Sequence, residues 1–280
     1  MRAATDGPEI TSRQAEQILD GLSEIVSRAA LATLATPFSS VAQRVKKDLS
    51  PVTAADEASE ALILEGLARL LPGVAVIAEE SVGLRPSGAL GPSFLVVDPL
   101  DGTKEVLAGR DEFTVNVALV TNGVPIAGVI AAPAQGLLWR GVVGAKAERL
   151  RLKFGAPPSE AYDRSFIRAR PAPSRLTVAT SRTHLDEVTE DFLSRLPVAK
   201  RYLCGSAVKF CHIAEGSADI YPRLSPTREW DVAAGCAILA AAGGIVTRPD
   251  GDPLTFGQVS AKFLVPGFIA WGDPAIAKAA

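Results

Sequence analysis

The densest run of chemically useful side chains is VVDPLDGTKE, which places Asp98 and Asp101 directly after an apolar, strand-like segment. Pro99 and Gly102 predict a tight turn, which lets both carboxylates and the unpaired Leu100 carbonyl face one point. Two carboxylates and a carbonyl oxygen are suitable ligands for a hard divalent cation such as Mg²⁺. A polar turn in which Asp98 only accepts hydrogen bonds from backbone N–H groups explains the same pattern. Both interpretations stay open on this segment alone.

Three other segments carry acidic residues at the ends of predicted elements. Glu79 and Glu80 follow a short apolar strand, Asp231 precedes an Ala-rich apolar helix, and DLSPVTAAD, residues 48–56, precedes another helix. Taken singly, these acids are typical of a solvated charge pair and of helix caps. Taken together, three acidic strand or helix ends can supply a two-metal carboxylate site.

The counts of His and Cys exclude several kinds of metal site. The 280 residues include 2 His and 3 Cys but 31 Asp and Glu, which excludes a three-histidine zinc site and a four-cysteine zinc or iron–sulfur site. A disulfide framework is not expected in so cysteine-poor a chain. The net charge of −2 gives no electrostatic basis for nucleic-acid binding, although a local cluster of cations could bind a small anion. Oxygen ligands remain, and these are the ligands that Mg²⁺ prefers.

Hydrophobic spacing predicts an α/β fold in which helices are layered against a mixed sheet in each of two lobes. The predicted helices cover 11–35, 53 or 54 to 71, 185–196, 207–215 and 231–243. The predicted strands cover 74–78, 94–97, 113–121, 124–132, 137–143 and 176–180, and 41–47 is a strand or an extended arm. The first residues lack the apolar core of a signal peptide, and the least polar stretch is too short for a membrane span. A cytoplasmic protein with reduced thiols is expected, and peripheral association with the inner membrane stays open without a visible anchor.

In this order and spacing, the motifs resemble the inositol monophosphatase superfamily of Mg²⁺-dependent phosphatases. The residues that carry the resemblance are DLSPVTAAD (48–56), DPLDGTKE (98–105), EFTVNVALV (112–120), GSAVKFCHIAEGSADIYPR (205–223) and EWDVAAG (229–235). SPVT, and DGTKE in place of DGTTNF, are similar in particular to the branch of 3′(2′),5′-bisphosphate nucleotidases. The resemblance implies the layered αβαβα fold of inositol monophosphatases and fructose-1,6-bisphosphatases. It also implies an N-terminal α+β lobe with the metal-binding loops, residues 1–170, and a C-terminal α/β lobe with nucleotide-binding elements, residues 171–280.

The resemblance also implies which residues bind metal. Glu79, Asp98 and the Leu100 carbonyl would hold one Mg²⁺. Asp98, Asp101 and Asp231 would hold a second, and a third ion stays open. Charge stabilisation by two such cations is the main requirement of phosphoryl transfer, which needs little covalent help from a protein.

Catalytic and substrate-binding roles follow from the same resemblance. Asp48 and Thr103 would position and deprotonate the attacking water, with Glu79 assisting. A bisphosphate needs a second anion site, and Lys209 and Arg223 are cations outside the acidic cluster. The implied substrate contacts are Glu79, Asp101, Gly102, Thr103, Lys104, His184, Ser206, Lys209, Arg223 and Asp231.

The implied reaction is hydrolysis of adenosine 3′,5′-bisphosphate to AMP and phosphate, which would remove a by-product of sulfate assimilation. The analogous 3′-phosphoadenylyl sulfate is a second substrate to consider. A broader inositol or sugar phosphate phosphatase of the same fold is the alternative enzyme, and a non-catalytic nucleotide sensor is the alternative outside enzymes. Monomer and homodimer both stay open. Val106 departs from the aromatic residue usual in the family, and the three cysteines are expected to be buried thiols.

Overall fold

Residues 7–35, 44–45, 51–82, 90–182 and 186–277 of the chain are described by a computed structural model. The helices are α1 (Ser12–Ala35), α2 (Ala54–Leu70), α3 (Thr103–Leu107), α4 (Glu187–Ser194), α5 (Val208–Ala214), α6 (Ala233–Ala241) and α7 (Pro274–Ala277). The strands of the first half are β1 (Arg44–Val45), β2 (Pro51–Val52), β3 (Ala75–Ala78), β4 (Ser93–Asp101), β5 (Thr114–Thr121), β6 (Val124–Ala132), β7 (Leu137–Val142), β8 (Ala147–Arg151) and β9 (Asp163–Ile167). Those of the second half are β10 (Leu176–Ser181), β11 (Val198–Cys204), β12 (Ile220–Arg223), β13 (Thr227–Arg228), β14 (Ile245–Thr247), β15 (Leu264–Val265) and β16 (Phe268–Trp271).

A seven-stranded sheet in the order β3-β4-β5-β6-β7-β8-β9 contains the predicted meander. Strands β3 and β4 are parallel, and each later pair is antiparallel. Short turns join β5 to β6, β6 to β7 and β7 to β8, whereas α3 lies between β4 and β5. Side chains alternate between the two faces, so Val117 and Leu119 of β5 face α1 and α2 whereas Ala118 and Val120 face α6. The central strand β5 is therefore buried on both faces.

A five-stranded sheet in the order β11-β10-β12-β16-β14 forms the second β layer. Helices α5 and α6 lie between the two sheets, and α6 contacts strands of both. On the outer face, Leu193 of α4 and Ile276 of α7 join the apolar cluster around Trp271. The layers run helix, sheet, helix, sheet, helix, which confirms the αβαβα fold.

Helix α2 begins where DLSPVTAAD predicts a helix start. Thr53 is the N-cap residue: its side chain accepts a hydrogen bond from the Ala55 backbone N–H at 3.2 Å. The Asp56 side chain in turn accepts from the Thr53 backbone N–H at 2.8 Å, which completes a capping box. The cap fixes the direction of Asp56, a residue that contributes to the site described below.

Most predicted elements are present, but several strands of the second half, among them β11, were not predicted. Strand β11 lies at an edge of its sheet and has exposed residues at consecutive positions, so its sequence lacks the alternation typical of a strand. Helix α6 begins at Ala233 rather than at Asp231, because a 3₁₀ turn precedes it. Helix α4 begins at Glu187, because the Asp186 side chain caps it by accepting from the Thr189 backbone N–H.

The large sheet ends at Ile167 and the small sheet begins at Leu176, so the stretch 168–175 joins the two sheets. Since α6 packs on both sheets, the division into lobes 1–170 and 171–280 stays a prediction. Within the described parts of the chain, no helix combines the length and the apolar character that crossing a bilayer requires.

Candidate active site

Asp98 and Asp101 lie at the end of β4 and face the same side of the sheet. Residues three apart in a regular strand point to opposite faces, because side chains alternate. Here Asp98 lies opposite Asn116 and Asp101 lies opposite Thr114, so β4 carries one extra residue in the interval. This β-bulge brings both carboxylates to the face that packs on α6. The predicted turn after Val97 is therefore wrong: β4 continues to Asp101 because β5 keeps pairing with it.

Asp98 is buried, with 1% of its surface exposed. Its Oδ1 accepts a hydrogen bond from the Leu100 backbone N–H at 3.0 Å, and its Oδ2 has no hydrogen-bond partner among the described residues. The Ser59 hydroxyl donates to the Pro99 carbonyl at 2.7 Å and fixes the bulge. One Asp98 oxygen thus stabilises the backbone while the other is left for a ligand.

Asp231 reaches the same point from the end of the 3₁₀ turn before α6. Its Oδ2 accepts hydrogen bonds from the Thr227 hydroxyl and, at 3.1 Å, from the Arg228 backbone N–H. One carboxylate oxygen from each of Asp98, Asp101 and Asp231 lies within 4.8 Å of the other two. Three acids from two distant parts of the sequence therefore converge.

The convergence raises the pKa of Asp98 and of Asp101. Burial raises the pKa of Asp98 well above its usual range, and the negative charges of Glu79, Asp101 and Asp231 raise it further. Burial and the charge of Asp231 raise the pKa of Asp101 to about 6. Such a group of carboxylates is stable in its charged form when a cation lies between them.

The donor set fits Mg²⁺. Carboxylate oxygens converge within the reach of one ion, and the orphaned buried Asp98 Oδ2 lacks the hydrogen bond that a buried carboxylate otherwise needs. Glu79 and Leu100 line the same cavity, and the Glu79 charge acts on Asp98. Glu79 lies outside the tight group of three acids, next to it on the end of β3.

The Thr103 hydroxyl lies between two acceptors at the start of α3. It donates to Asp56 Oδ1 at 3.3 Å and approaches the Leu100 carbonyl at 3.4 Å. Asp48, which the resemblance pairs with Thr103, lies outside the described residues. Within the described residues, the carboxylate that the Thr103 hydroxyl contacts is Asp56, which belongs to the same DLSPVTAAD motif.

The turn between β4 and α3 brings the backbone close to the neighbouring loop. Gly102 has a φ of 98°, and a Cβ there would lie 3.1 Å from the Glu112 carbonyl oxygen. Glycine is therefore required for both conformation and space. Lys104 is exposed on α3 and lines the cavity, while Val106 is buried below it against Phe113.

Two cations form the wall opposite the acids. Lys209 is buried, with 3% of its surface exposed, and its Nζ donates to the Ser206 carbonyl at 2.6 Å and lies 5.1 Å from the centre of the Tyr221 ring. Arg223 is half-buried, and its Nε has no hydrogen-bond partner among the described residues. Both charges lower the pKa of Asp101, so the cations lie close to the acids.

The acids and cations line one open cavity of about 210 Å³. Its lining residues are Glu79, Asp98, Leu100, Asp101, Gly102, Thr103, Lys104, Glu105, Ser181, Ser206, Lys209, Tyr221, Arg223 and Asp231. Sequence reasoning missed Ser181, Tyr221 and Glu105 in this lining, and it treated Asp56 as a first-turn acid only. The SPVTAAD motif could have pointed to Asp56, whereas nothing in the sequence marks Ser181, which the fold alone brings to the cavity.

His184, a candidate nucleotide contact, lies outside the described residues. The second histidine, His212, packs against Tyr202 with 4.5 Å between ring centroids. The thiols of Cys204, Cys211 and Cys236 are all buried, as expected from the sequence. Burial raises the pKa of each thiol, that of Cys204 to about 11.

Comparison with known proteins identifies the family. The pattern of the inositol monophosphatase family matches residues 14–267. The chain belongs to the inositol monophosphatase family. It is 40% identical over 223 residues to the 3′(2′),5′-bisphosphate nucleotidase CysQ of Escherichia coli strain K12, covering 80% of this chain and 86% of that protein.

Solved structures of family members support the same assignment. CysQ from Bacteroides thetaiotaomicron superposes with a TM-score of 0.74 at 30% identity, over 91% of this chain and 97% of that one. An inositol monophosphatase from Anabaena superposes with a TM-score of 0.70 at 28% identity, over 94% of both chains. The family is Mg²⁺-dependent in general, which agrees with the acidic cluster of Asp98, Asp101 and Asp231.

Proposed function

We propose that this chain is a Mg²⁺-dependent 3′(2′),5′-bisphosphate nucleotidase that hydrolyses adenosine 3′,5′-bisphosphate to AMP and phosphate. The observation that carries the proposal is one cavity in which three converging carboxylates face the cations Lys209 and Arg223. Carboxylates with bound cations suit the reacting phosphate, and positively charged side chains suit an anion beside it. The likeness to CysQ supports this substrate class, with 3′-phosphoadenylyl sulfate as a second compound to test.

Thr103 and Asp56 are proposed to control the proton of the attacking water. The Thr103 hydroxyl donates its proton toward Asp56, so its oxygen can accept a hydrogen bond from water. As the water oxygen attacks phosphorus, a water proton moves to Thr103 Oγ1 and the Thr103 proton moves to Asp56. The bond between phosphorus and the ribose 3′-oxygen breaks, and that oxygen takes up a proton from solvent. Asp48 stays a predicted participant.

The metal ligands proposed for this reaction are Glu79, Asp98, the Leu100 carbonyl, Asp101 and Asp231. Bound Mg²⁺ supplies electrostatic stabilisation of the charge that develops on the transferring phosphoryl group. Two ions are proposed, and a third stays a prediction. The Gly102 turn and Lys104 then present backbone and ammonium groups to the same phosphate.

The second phosphate of the substrate is proposed to bind at Lys209 and Arg223, with Ser206 beside them. The unpartnered Arg223 Nε is a donor suited to a phosphate oxygen. Because both cations act on Asp101, this site lies beside the reacting phosphate rather than far from it. His184 as a nucleotide contact, the cytoplasmic location, the two-lobe division and the oligomeric state stay predictions.

Phosphate release by the purified chain tests this function. With Mg²⁺, we expect a higher kcat/KM for adenosine 3′,5′-bisphosphate than for inositol 1-phosphate, and no turnover with EDTA. Equal or faster release from inositol 1-phosphate would instead indicate the broader phosphatase. Binding of the bisphosphate without phosphate release would indicate a sensor. Asp101→Asn serves as the inactive control, because it removes one metal-binding charge while its size keeps the fold.

A further inference from the structure

The motif EFTVNVALV places two polar side chains in the buried strand β5 that the proposed mechanism does not use. Asn116 is 1% exposed, and neither its amide oxygen nor its amide nitrogen has a hydrogen-bond partner among the described residues. Thr114 is fully buried, and its hydroxyl likewise has no partner there. A buried polar group without a hydrogen bond costs about 1–3 kcal/mol relative to a satisfied one. Two such groups in one strand therefore indicate a role that offsets this cost.

The strand register shows what these side chains face. Asn116 lies directly opposite Asp98, and Thr114 lies directly opposite Asp101. Opposed residues of an antiparallel pair share a face of the sheet, with about 4.5–5.5 Å between their Cβ atoms. The next opposed pair on the same face, Val96 with Ala118, belongs to the apolar cluster on the α6 side, which identifies that face.

The polar atoms are thus placed within reach of the two carboxylates that end β4. The Asp98 Oδ2 atom is itself buried without a hydrogen-bond partner among the described residues. A primary amide, a hydroxyl and a carboxylate oxygen in one buried space can be joined directly or through one ordered water, which typically makes about three hydrogen bonds. Apolar neighbours such as Ile130, opposite Asn116 on β6, offer no alternative partner.

We propose that Asn116 and Thr114 are positioning residues that orient the Asp98 and Asp101 carboxylates toward bound Mg²⁺ by hydrogen bonds, direct or through one buried water. The proposal rests on the proposed function, because it takes Asp98 and Asp101 as cation ligands. Partners that orient metal-binding groups in this way typically change metal affinity by about 10- to 100-fold when removed. Without metal, replacing them should not lower the stability of the fold. An apolar side chain of similar shape removes a buried polar group that has no hydrogen-bond partner among the described residues.

The test measures metal affinity and metal-free stability in the same variants of the full chain. Thr114→Val removes the hydroxyl at constant shape, Thr114→Ser keeps it, and Asn116→Leu removes the amide at similar volume. Thr180→Val is the matched control, because Thr180 is equally buried with an unpartnered hydroxyl but lies in β10 of the other sheet. Free Mn²⁺ is followed by electron paramagnetic resonance during titration, and the melting temperature is measured in EDTA.

We expect Asn116→Leu and Thr114→Val to weaken Mn²⁺ binding about 10-fold or more, with a metal-free melting temperature equal to or above that of the wild type. Thr114→Ser should restore most of the affinity, and Thr180→Val should leave it unchanged. Unchanged Mn²⁺ affinity in both variants would overturn the proposal, as would equal losses in Thr180→Val. If Asn116→Leu does not fold, the Thr114→Val and Thr114→Ser pair decides.

The same titration separates this proposal from the proposed function. Wild-type chain that binds no Mn²⁺ contradicts both, because the carboxylates are then not metal ligands. Wild-type chain that binds Mn²⁺ but does not hydrolyse adenosine 3′,5′-bisphosphate contradicts the proposed reaction and leaves the positioning role to be decided by the variants.

Discussion

The Thr103 hydroxyl lies 3.3 Å from Asp56 Oδ1, although 47 positions of sequence separate the two residues. The other Asp56 oxygen accepts from the Thr53 backbone at 2.8 Å and holds the start of α2. One carboxylate therefore joins a helix cap to a hydroxyl at the edge of the cavity. A fixed acceptor behind a hydroxyl is the arrangement that general-base catalysis through that hydroxyl requires.

Replacing Asp56 by Asn should remove most of the activity on adenosine 3′,5′-bisphosphate. The amide oxygen can still cap α2, but it cannot accept the proton that leaves Thr103, so kcat should fall about 10²- to 10⁴-fold. Steady-state kinetics with the melting temperature as a check on folding measures this effect.

Glu57→Gln is the control for Asp56→Asn, because Glu57 is the next acid of the same helix turn but is exposed. It should keep wild-type kinetics. If Asp56→Asn retained wild-type kcat, the Thr103–Asp56 pair would have no part in the reaction.

Replacing Asp101 by Asn should stabilise the protein when metal is removed. In the folded chain the Asp101 pKa is raised from 3.8 to about 6, so the native state holds this proton more tightly than the unfolded state. The contribution of Asp101 to stability therefore falls as pH rises from about 4 to about 6 and stays low above that. In EDTA near pH 7.5 we expect the free energy of unfolding of Asp101→Asn to exceed that of the wild type by on the order of 3 kcal/mol. The difference should vanish near pH 4.

Mg²⁺ should reverse that order of stability. The metal neutralises the acids of the wild type, and it stabilises the folded state in proportion to its occupancy. In melting curves at several Mg²⁺ concentrations, the melting temperature of the wild type should rise far more than that of Asp101→Asn. Equal metal-induced shifts in both proteins would show that Asp101 is not a ligand.

Replacing Arg223 by Gln should weaken binding of the second phosphate more than the reaction itself. A hydrogen bond to a charged group contributes about 1.5–3 kcal/mol, which corresponds to roughly a 10- to 100-fold rise in KM. The rise should be larger for adenosine 3′,5′-bisphosphate than for adenosine 3′-monophosphate, which lacks the second phosphate. An equal rise in KM for both compounds would place Arg223 at the reacting phosphate instead.

Replacing Gly102 by Ala should impair both folding and turnover. The new Cβ would meet the Glu112 carbonyl oxygen at 3.1 Å, in a backbone conformation that already disfavours a side chain. Gly144→Ala is the matched control, because Gly144 has a φ of 86° with nothing within 4 Å of the added atom. The control should lose about 1 kcal/mol by strain alone. Equal unfolding free energies for the two variants would show that the contact with Glu112 is unimportant.

The layered fold was accessible from the sequence where periodicity is strong. Helices α1 and α2 and the strands β5 to β7 follow clear apolar patterns and carry recognisable turn residues. Strand β11 could not be predicted from the sequence, because it lies at an edge of its sheet and its residues do not alternate between buried and exposed. The two-residue strands β13 and β15 are likewise products of tertiary contact.

The acidic part of the site was accessible from motifs, but its geometry was not. Asp98 and Asp101 were recognisable as a pair, yet their common orientation depends on a bulge that only the pairing of β4 with β5 reveals. The contact of Thr103 with Asp56 and the placement of Ser181 in the cavity depend on packing between elements that are distant in sequence. Local sequence patterns do not specify contacts between residues that are distant in sequence.

Hydrolysis of adenosine 3′,5′-bisphosphate in ¹⁸O-labelled water tests the central claim most directly. Products formed with Mg²⁺ and with EDTA are identified by mass spectrometry. The expected products with Mg²⁺ are unlabelled AMP carrying its 5′-phosphate and inorganic phosphate carrying one ¹⁸O, because water attacks phosphorus, and neither should form with EDTA. Label in the nucleoside, adenosine 3′-monophosphate as the product, or no reaction with Mg²⁺ would contradict the account.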